Sequence, residues 1–113
     1  MRTVNRLFIV GNLGADPEVR VSKSGRYVGR LSVATRRPVR DGEKWSEVTE
    51  WHRVVLFDWH ARTAGERLKK GDGVAVVGEL RYRSWVDKHN EKRLTAEVIA
   101  REVSFLGRRP DRP

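Results

Sequence analysis

Nearly every extended run of this chain repeats its apolar residues at alternate positions, and only the segment between Phe57 and Gly73 breaks that rhythm. Period two is the mark of strands whose two faces see different surroundings, so the chain must be built mainly from half-buried β-strands. Val4 to Leu13 reads as the first strand, with Gly11 and Gly14 marking a bulge or bend before a turn at Asp16-Pro17. A short run, Glu18 to Val21, leads to the Ser24-Gly25 turn. Tyr27 to Arg36 then alternates again, Leu31 and Val33 facing one way and Arg30, Ser32 and Arg36 the other. Asp41-Gly42 is a hairpin signal, and Val48 to Phe57 is a third long strand rich in β-branched and aromatic residues.

The break in rhythm reads as one helix. Asp58 suits an N-cap, Ala61, Ala64 and Leu68 recur at helical spacing, Lys69 and Lys70 suit the C-terminal dipole, and Gly71 supplies a left-handed stop. Gly73 to Trp85 and Leu94 to Phe105 add two strands, joined by the charged loop VDKHNEKR. Three strands, a helix and two strands predict an all-β chain: an OB-fold, a five-stranded Greek-key barrel with one α-helix between strands three and four. At 113 residues there is length for one domain with one modest core. We assign it to residues 1–106 and read residues 107–113, GRRPDRP, as a basic, unstructured tail.

Charge narrows the partners. Lys and Arg number 24 against 15 acidic residues, a net charge of +9, which draws polyanions, nucleic acid first. No apolar stretch approaches the roughly 20 residues of a spanning helix, and LFIV is too short for a signal peptide, so no membrane partner is expected. A cytoplasmic, nucleoid-associated location is the expectation, and the lack of cysteine fits a reducing compartment.

Catalysis finds little support. His52, Asp58 and His60 are the best candidates, yet no HxH, HxxxH or carboxylate cluster at ligand spacing links them, so neither a catalytic nor a metal site is expected. The glycines of VGNLG lack a third partner and a following helix, so a dinucleotide loop fails on context. No cofactor is implied.

The aromatic residues form a different pattern. On the third long strand Thr49, Trp51, Arg53, Val55 and Phe57 share one face and His52 lies on the other; on the next strand Arg81, Arg83 and Trp85 share a face opposite Leu80 and Tyr82. Rings interleaved with arginines suit single-stranded nucleic acid, because guanidinium groups follow phosphates while flat rings stack on any base. A core role for Trp51 and Trp85 would bury Arg53 and Arg83 at high cost, which favours stacking. For Phe57, beside Val55, the pattern leaves both readings open. Eight basic and three acidic residues between Glu18 and Lys44, with Arg30, Arg36, Arg37 and Arg40 among them, add a backbone-tracking groove.

Three blocks, VGNLGADPEVR, TEWHRVVLF and LKKGDGVAVVGELRYRSW, in this order and spacing, resemble the bacterial-type single-stranded DNA-binding (SSB) family from about Asn5 to Phe105. The resemblance implies an OB-fold, a homotetramer, and sequence-tolerant binding of single-stranded DNA in replication, recombination and repair, without catalysis. It implies base stacking by Trp51, Phe57 and Trp85. Backbone contacts fall to Arg20, Arg53, Lys70, Arg81, Arg83 and Arg93, and subunit contacts to Asn5, Leu7 and His52.

Two departures stand out. Where the family commonly has an aromatic, this chain has Val39, and Trp45 either replaces it as a stacking residue or packs on the hairpin. The family commonly continues into a linker and an acidic tip that recruits replication and repair proteins, whereas this chain ends in GRRPDRP, so no recruitment through such a tail is expected. Either the domain has been separated from a tail or the chain is a tail-less paralogue. A dimeric primosomal or RNA-binding OB protein is the alternative function, and a metal-dependent nuclease using His52 and His60 is a third.

Overall fold

The computed structural model describes residues 1–107; the expected basic tail lies, apart from Gly107, outside the described residues. Among the described residues six strands and one helix follow in the order β1 (Leu7–Leu13), β2 (Glu18–Val21), β3 (Tyr27–Asp41), β4 (Lys44–Phe57), α1 (Asp58–Arg67), β5 (Gly73–Val86) and β6 (Lys92–Gly107). The sheet runs β1-β5-β6-β4-β3-β2, and β1 also pairs with β3 through Asn12 with Ala34 and Leu13 with Val33. That last pairing closes five strands into a barrel. The short run before Ser24-Gly25 is β2, a four-residue strand laid on β3 outside the closed ring. The OB-fold and its lone helix are as the alternation predicts.

The inward positions of the alternation fill the barrel. Leu31, Val33, Val54, Leu56, Val74 and Val76 are fully buried, and α1 plugs one end through Ala61 and Ala64. Gly11 permits the closure: a Cβ there would collide with the carbonyl oxygen of Ala34 on β3. Each clause of the alternation is thus used twice, once for the core and once for the outer face.

Several boundaries differ from expectation. Both long hairpins run on past the barrel as two-stranded arms, with β3 reaching Asp41 and β4 starting at Lys44, so Arg37, Arg40 and Trp45 sit on strands and not in a loop. Gly42 turns this arm at φ +64, the left-handed backbone that a two-residue II′ loop requires of its first residue. The other arm extends to Val86 and restarts at Lys92. At the N-terminus, β1 starts at Leu7 rather than Val4, yet Asn5 prolongs it: its side-chain amide donates to Leu80 O at 2.7 Å and accepts from Leu80 N–H at 2.9 Å.

Asp58 is not the N-cap. Phe57 takes that place with no side-chain cap, and Asp58 lies inside the helix at φ +54. Its carboxylate is held by Arg26 Nε, 3.1 Å from each oxygen, and is unavailable to the helix amides. The helix also ends earlier than expected, at Arg67, because Leu68 is already extended. Gly71 is left-handed as expected, but it serves a later turn, donating its N–H to Leu13 O at 2.8 Å and tying the helix exit to β1.

Candidate nucleic-acid interface

Cross-strand partners share a face, so the register defines the outer surface without ambiguity. On β3 and β4 the pairs are Val28 with Phe57, Arg30 with Val55, Ser32 with Arg53, Ala34 with Trp51, Arg36 with Thr49 and Arg40 with Trp45. Strand β2 adds Arg20 beside Val28. Across the parallel β4–β6 junction Val55 meets Ile99, and on β5 and β6 the same face continues through Arg81 with Glu97, Arg83 with Thr95 and Trp85 with Arg93. One curved face therefore carries Trp45, Trp51, Phe57 and Trp85 among eight arginines: 20, 30, 36, 40, 53, 81, 83 and 93. Three of the rings are open to ligand, Trp45 being 65% exposed, Trp51 59% and Trp85 41%.

Each ring is positioned by a neighbour. The Trp51 indole lies across Gly14, where a Cβ would collide with the ring, and it walls a cleft of about 340 Å³ with Arg30, Ser32 and Arg53. A second cleft, about 420 Å³, continues from Arg30 past Val28 to Arg20. Trp85 donates its indole N–H to Thr95 Oγ1 at 2.8 Å, which fixes the ring on the arm. The Arg26 guanidinium sits over the Phe57 ring, 4.6 Å from its centroid, and Arg40 lies 5.7 Å from the Trp45 ring.

Half of the face's cations are held by carboxylates. Glu97, its side chain 8% exposed, lies between Arg53 Nη1 at 3.9 Å and Arg83 Nε at 3.4 Å. A carboxylate this buried requires such partners. Glu79 receives Arg81 at 3.1 Å and Arg101 at 2.8 Å. Partial desolvation pushes the Glu79 carboxyl up, but the hydrogen bonds and charges of Arg81 and Arg101 outweigh it and hold the carboxyl below its ordinary value. Asp87 organises the tip of the second arm, accepting from the N–H groups of Glu91 and His89 and from Arg93 Nε at 2.8 Å. Those bonds, the Glu91 amide foremost, keep its carboxyl below the ordinary range.

That depression has a sign. A carboxyl whose folded pKa lies below its unfolded value stabilises the fold above the unfolded pKa, about 3.9 for Asp, and stops doing so as pH falls through the folded value. An NMR titration of the His89 and Glu91 amides will show a midpoint below 3.8. Asp87→Asn will abolish that transition, and a parent midpoint that is not depressed below 3.8 would contradict the geometry.

A model of the single-strand binding protein family matches residues 4–106. The chain belongs to that family. Among curated proteins it is similar to Single-stranded DNA-binding protein 1 of Xylella fastidiosa, 43% identical over 113 residues, spanning 98% of this chain and 83% of the relative. Among solved structures it is similar to the Plasmodium falciparum SSB in complex with ssDNA, with a TM-score of 0.85 and 26% identity over 94% of this chain and 97% of the other.

The positions expected from the basic run and from the family resemblance divide by side. Arg20, Arg30, Arg36, Arg40, Arg53, Arg81, Arg83 and Arg93 all lie on the ring-bearing face. Arg37 does not: it pairs with Val48 on the reverse of the first arm and reaches Glu50 at 3.3 Å. Lys70 stands beside the first cleft, its backbone N–H donating to Asp16 Oδ1 at 2.8 Å. His52 faces away from the rings and shares a 2.8 Å hydrogen bond with Thr35 Oγ1. Leu7 packs against the core, and the exposed apolar side chains of β1 are Phe8 and Val10. Val39 pairs with Ser46 while Trp45 pairs with Arg40, so the two project from opposite sides of the arm. Trp45 does not reproduce the side-chain position of Val39; it adds a ring on the side of Trp51.

Sequence marks Gly14 only as a bulge or bend and gives no sign of Arg26, Glu97 or Thr95, yet each acts on a ring or an arginine of the face. Only Gly14 carried a signal, as one of two glycines near the end of β1. Its contact yields a prediction. Gly14→Ala will push the Trp51 indole aside, shift the tryptophan emission and weaken oligo-dT binding by up to about one stack, about 1 to 3 kcal/mol. In a Trp51→Ala background the same change should cost nothing further, and an undiminished loss there would refute the coupling.

Proposed function

We propose that this chain binds single-stranded DNA with little sequence preference, coating and protecting it in replication, recombination and repair. The observation that carries this reading is the placement of Trp45, Trp51, Phe57 and Trp85 among eight arginines on one continuous barrel face. Stacking tolerates any base, the arginines follow the backbone, and no base edge is read. The work is equilibrium binding, done by one domain over residues 1–106, and it uses no cofactor. Binding is accompanied by assembly into a homotetramer, for which Phe8 and Val10, 66% and 51% exposed on the outer side of β1, offer an apolar contact, and to which Asn5 and His52 add polar ones. We place the protein in the cytoplasm at the nucleoid.

Tryptophan fluorescence tests the reading. Oligo-dT should quench it in a saturable manner, with duplex DNA competing poorly and RNA more weakly than oligo-dT. RNA competing as well as DNA would favour an RNA-binding OB protein, and light scattering distinguishes tetramer from dimer.

A further inference from the structure

Trp59 takes the second position of α1 but does not pack against the core. The buried stripe of α1 is Ala61 and Ala64, and at 100° per residue Trp59 lies 200° from one and 140° from the other, on the outer side. Its indole is 69% exposed and is held edge-on by His60, centroids 5.2 Å apart. A cleft of about 480 Å³ joins it to Phe57, with Ile99 and Arg101 along its wall. Ile99 is the register partner of Val55, so this cleft opens from the arginine-lined face described above.

Charge around it favours an anion. Asp58 and Glu79 line the cleft, but each is taken up, Asp58 by Arg26 and Glu79 by Arg81 and Arg101. On the helix Glu66 pairs with Arg62 at 3.2 Å, while Arg67, which borders Trp59, has no ion pair among the described residues.

We propose that the path of the bound strand runs on from Phe57 through this cleft and past Trp59, which stacks a further base, while Arg67 on the helix side of the ring and Arg101, shared with Glu79, take its phosphates. The inference rests on single-stranded DNA being the ligand, and it names a contact that lies beyond the four rings of the sheet.

Oligo-dT of graded length tests it. Trp59→Ala should weaken binding of long oligo-dT by about 5- to 150-fold, the loss of one stack, while leaving the affinity for the shortest binding oligomers unchanged. Trp59→Phe should recover most of the loss. Because the side chain is exposed, circular dichroism should report an unaltered fold. Parent affinity at every length in Trp59→Ala would overturn the proposal, as would intact affinity accompanied by a change in mass by light scattering, which would assign Trp59 to a protein contact. Failure of the unmodified protein to bind any oligo-dT would instead overturn the functional reading itself.

Discussion

Trp51→Ala combined with Trp85→Ala will leave the barrel folded and remove most of its affinity for single-stranded DNA. Both rings lie on the outer face, 59% and 41% exposed, and neither belongs to the buried cluster of Leu31, Val33, Val54, Leu56, Val74 and Val76. Truncating them opens no cavity, so thermal unfolding should shift by no more than a surface change allows, about 0.5 kcal/mol. Binding loses two stacks. At about 1 to 3 kcal/mol each, on different strands and seated on different neighbours, Gly14 and Thr95, the losses should add to about 2 to 6 kcal/mol, which is at least about 30-fold in affinity. Titration by fluorescence anisotropy of labelled oligo-dT avoids relying on the deleted fluorophores. A double variant that binds within threefold of the parent would show that these rings are not stacking platforms.

The same two rings show how far sequence carries. Alternation places Trp51 with Arg53 and Phe57, and Trp85 with Arg81 and Arg83, because a strand leaves its side chains only two directions. The barrel follows as well, since five alternating runs and one helix have few ways to bury their apolar faces together. What alternation cannot give is which strand lies beside which at what height. The Gly14 floor under Trp51 links β1 to β4, Arg26 over Phe57 crosses from the β2–β3 turn, and the Glu97 seat between Arg53 and Arg83 depends on the β4–β6 junction. These contacts are products of tertiary register. Asp58 illustrates the opposite error: a good capping residue by type, it is drawn off by Arg26, a cation 32 positions away that local propensity does not see.

Ion pairing within the face sets a second large effect, the response to salt. Of the eight arginines, Arg20, Arg30, Arg36 and Arg40 have no carboxylate partner among the described residues, whereas Arg53, Arg81, Arg83 and Arg93 are shared with Glu97, Glu79 and Asp87. Each neutralised phosphate of a single strand contributes about −0.7 to the log-log salt slope, so four unshared arginines set a slope of about −3 and all eight would give about −6. Between 50 and 200 mM salt the lower bound is about a 50-fold loss of affinity. A slope shallower than about −2 would contradict phosphate tracking by this face. Glu97 decides where in the range the protein falls. Its carboxylate occupies two arginines that flank Trp51 and Trp85, and any phosphate reaching them must share or displace it. Glu97→Gln keeps the shape of the side chain and removes its charge, so it should steepen the slope by about one and raise affinity at low salt. An unchanged slope in that variant would mean that Arg53 and Arg83 hold Glu97 and the strand at once, and that the buried carboxylate positions the two arginines without competing for them.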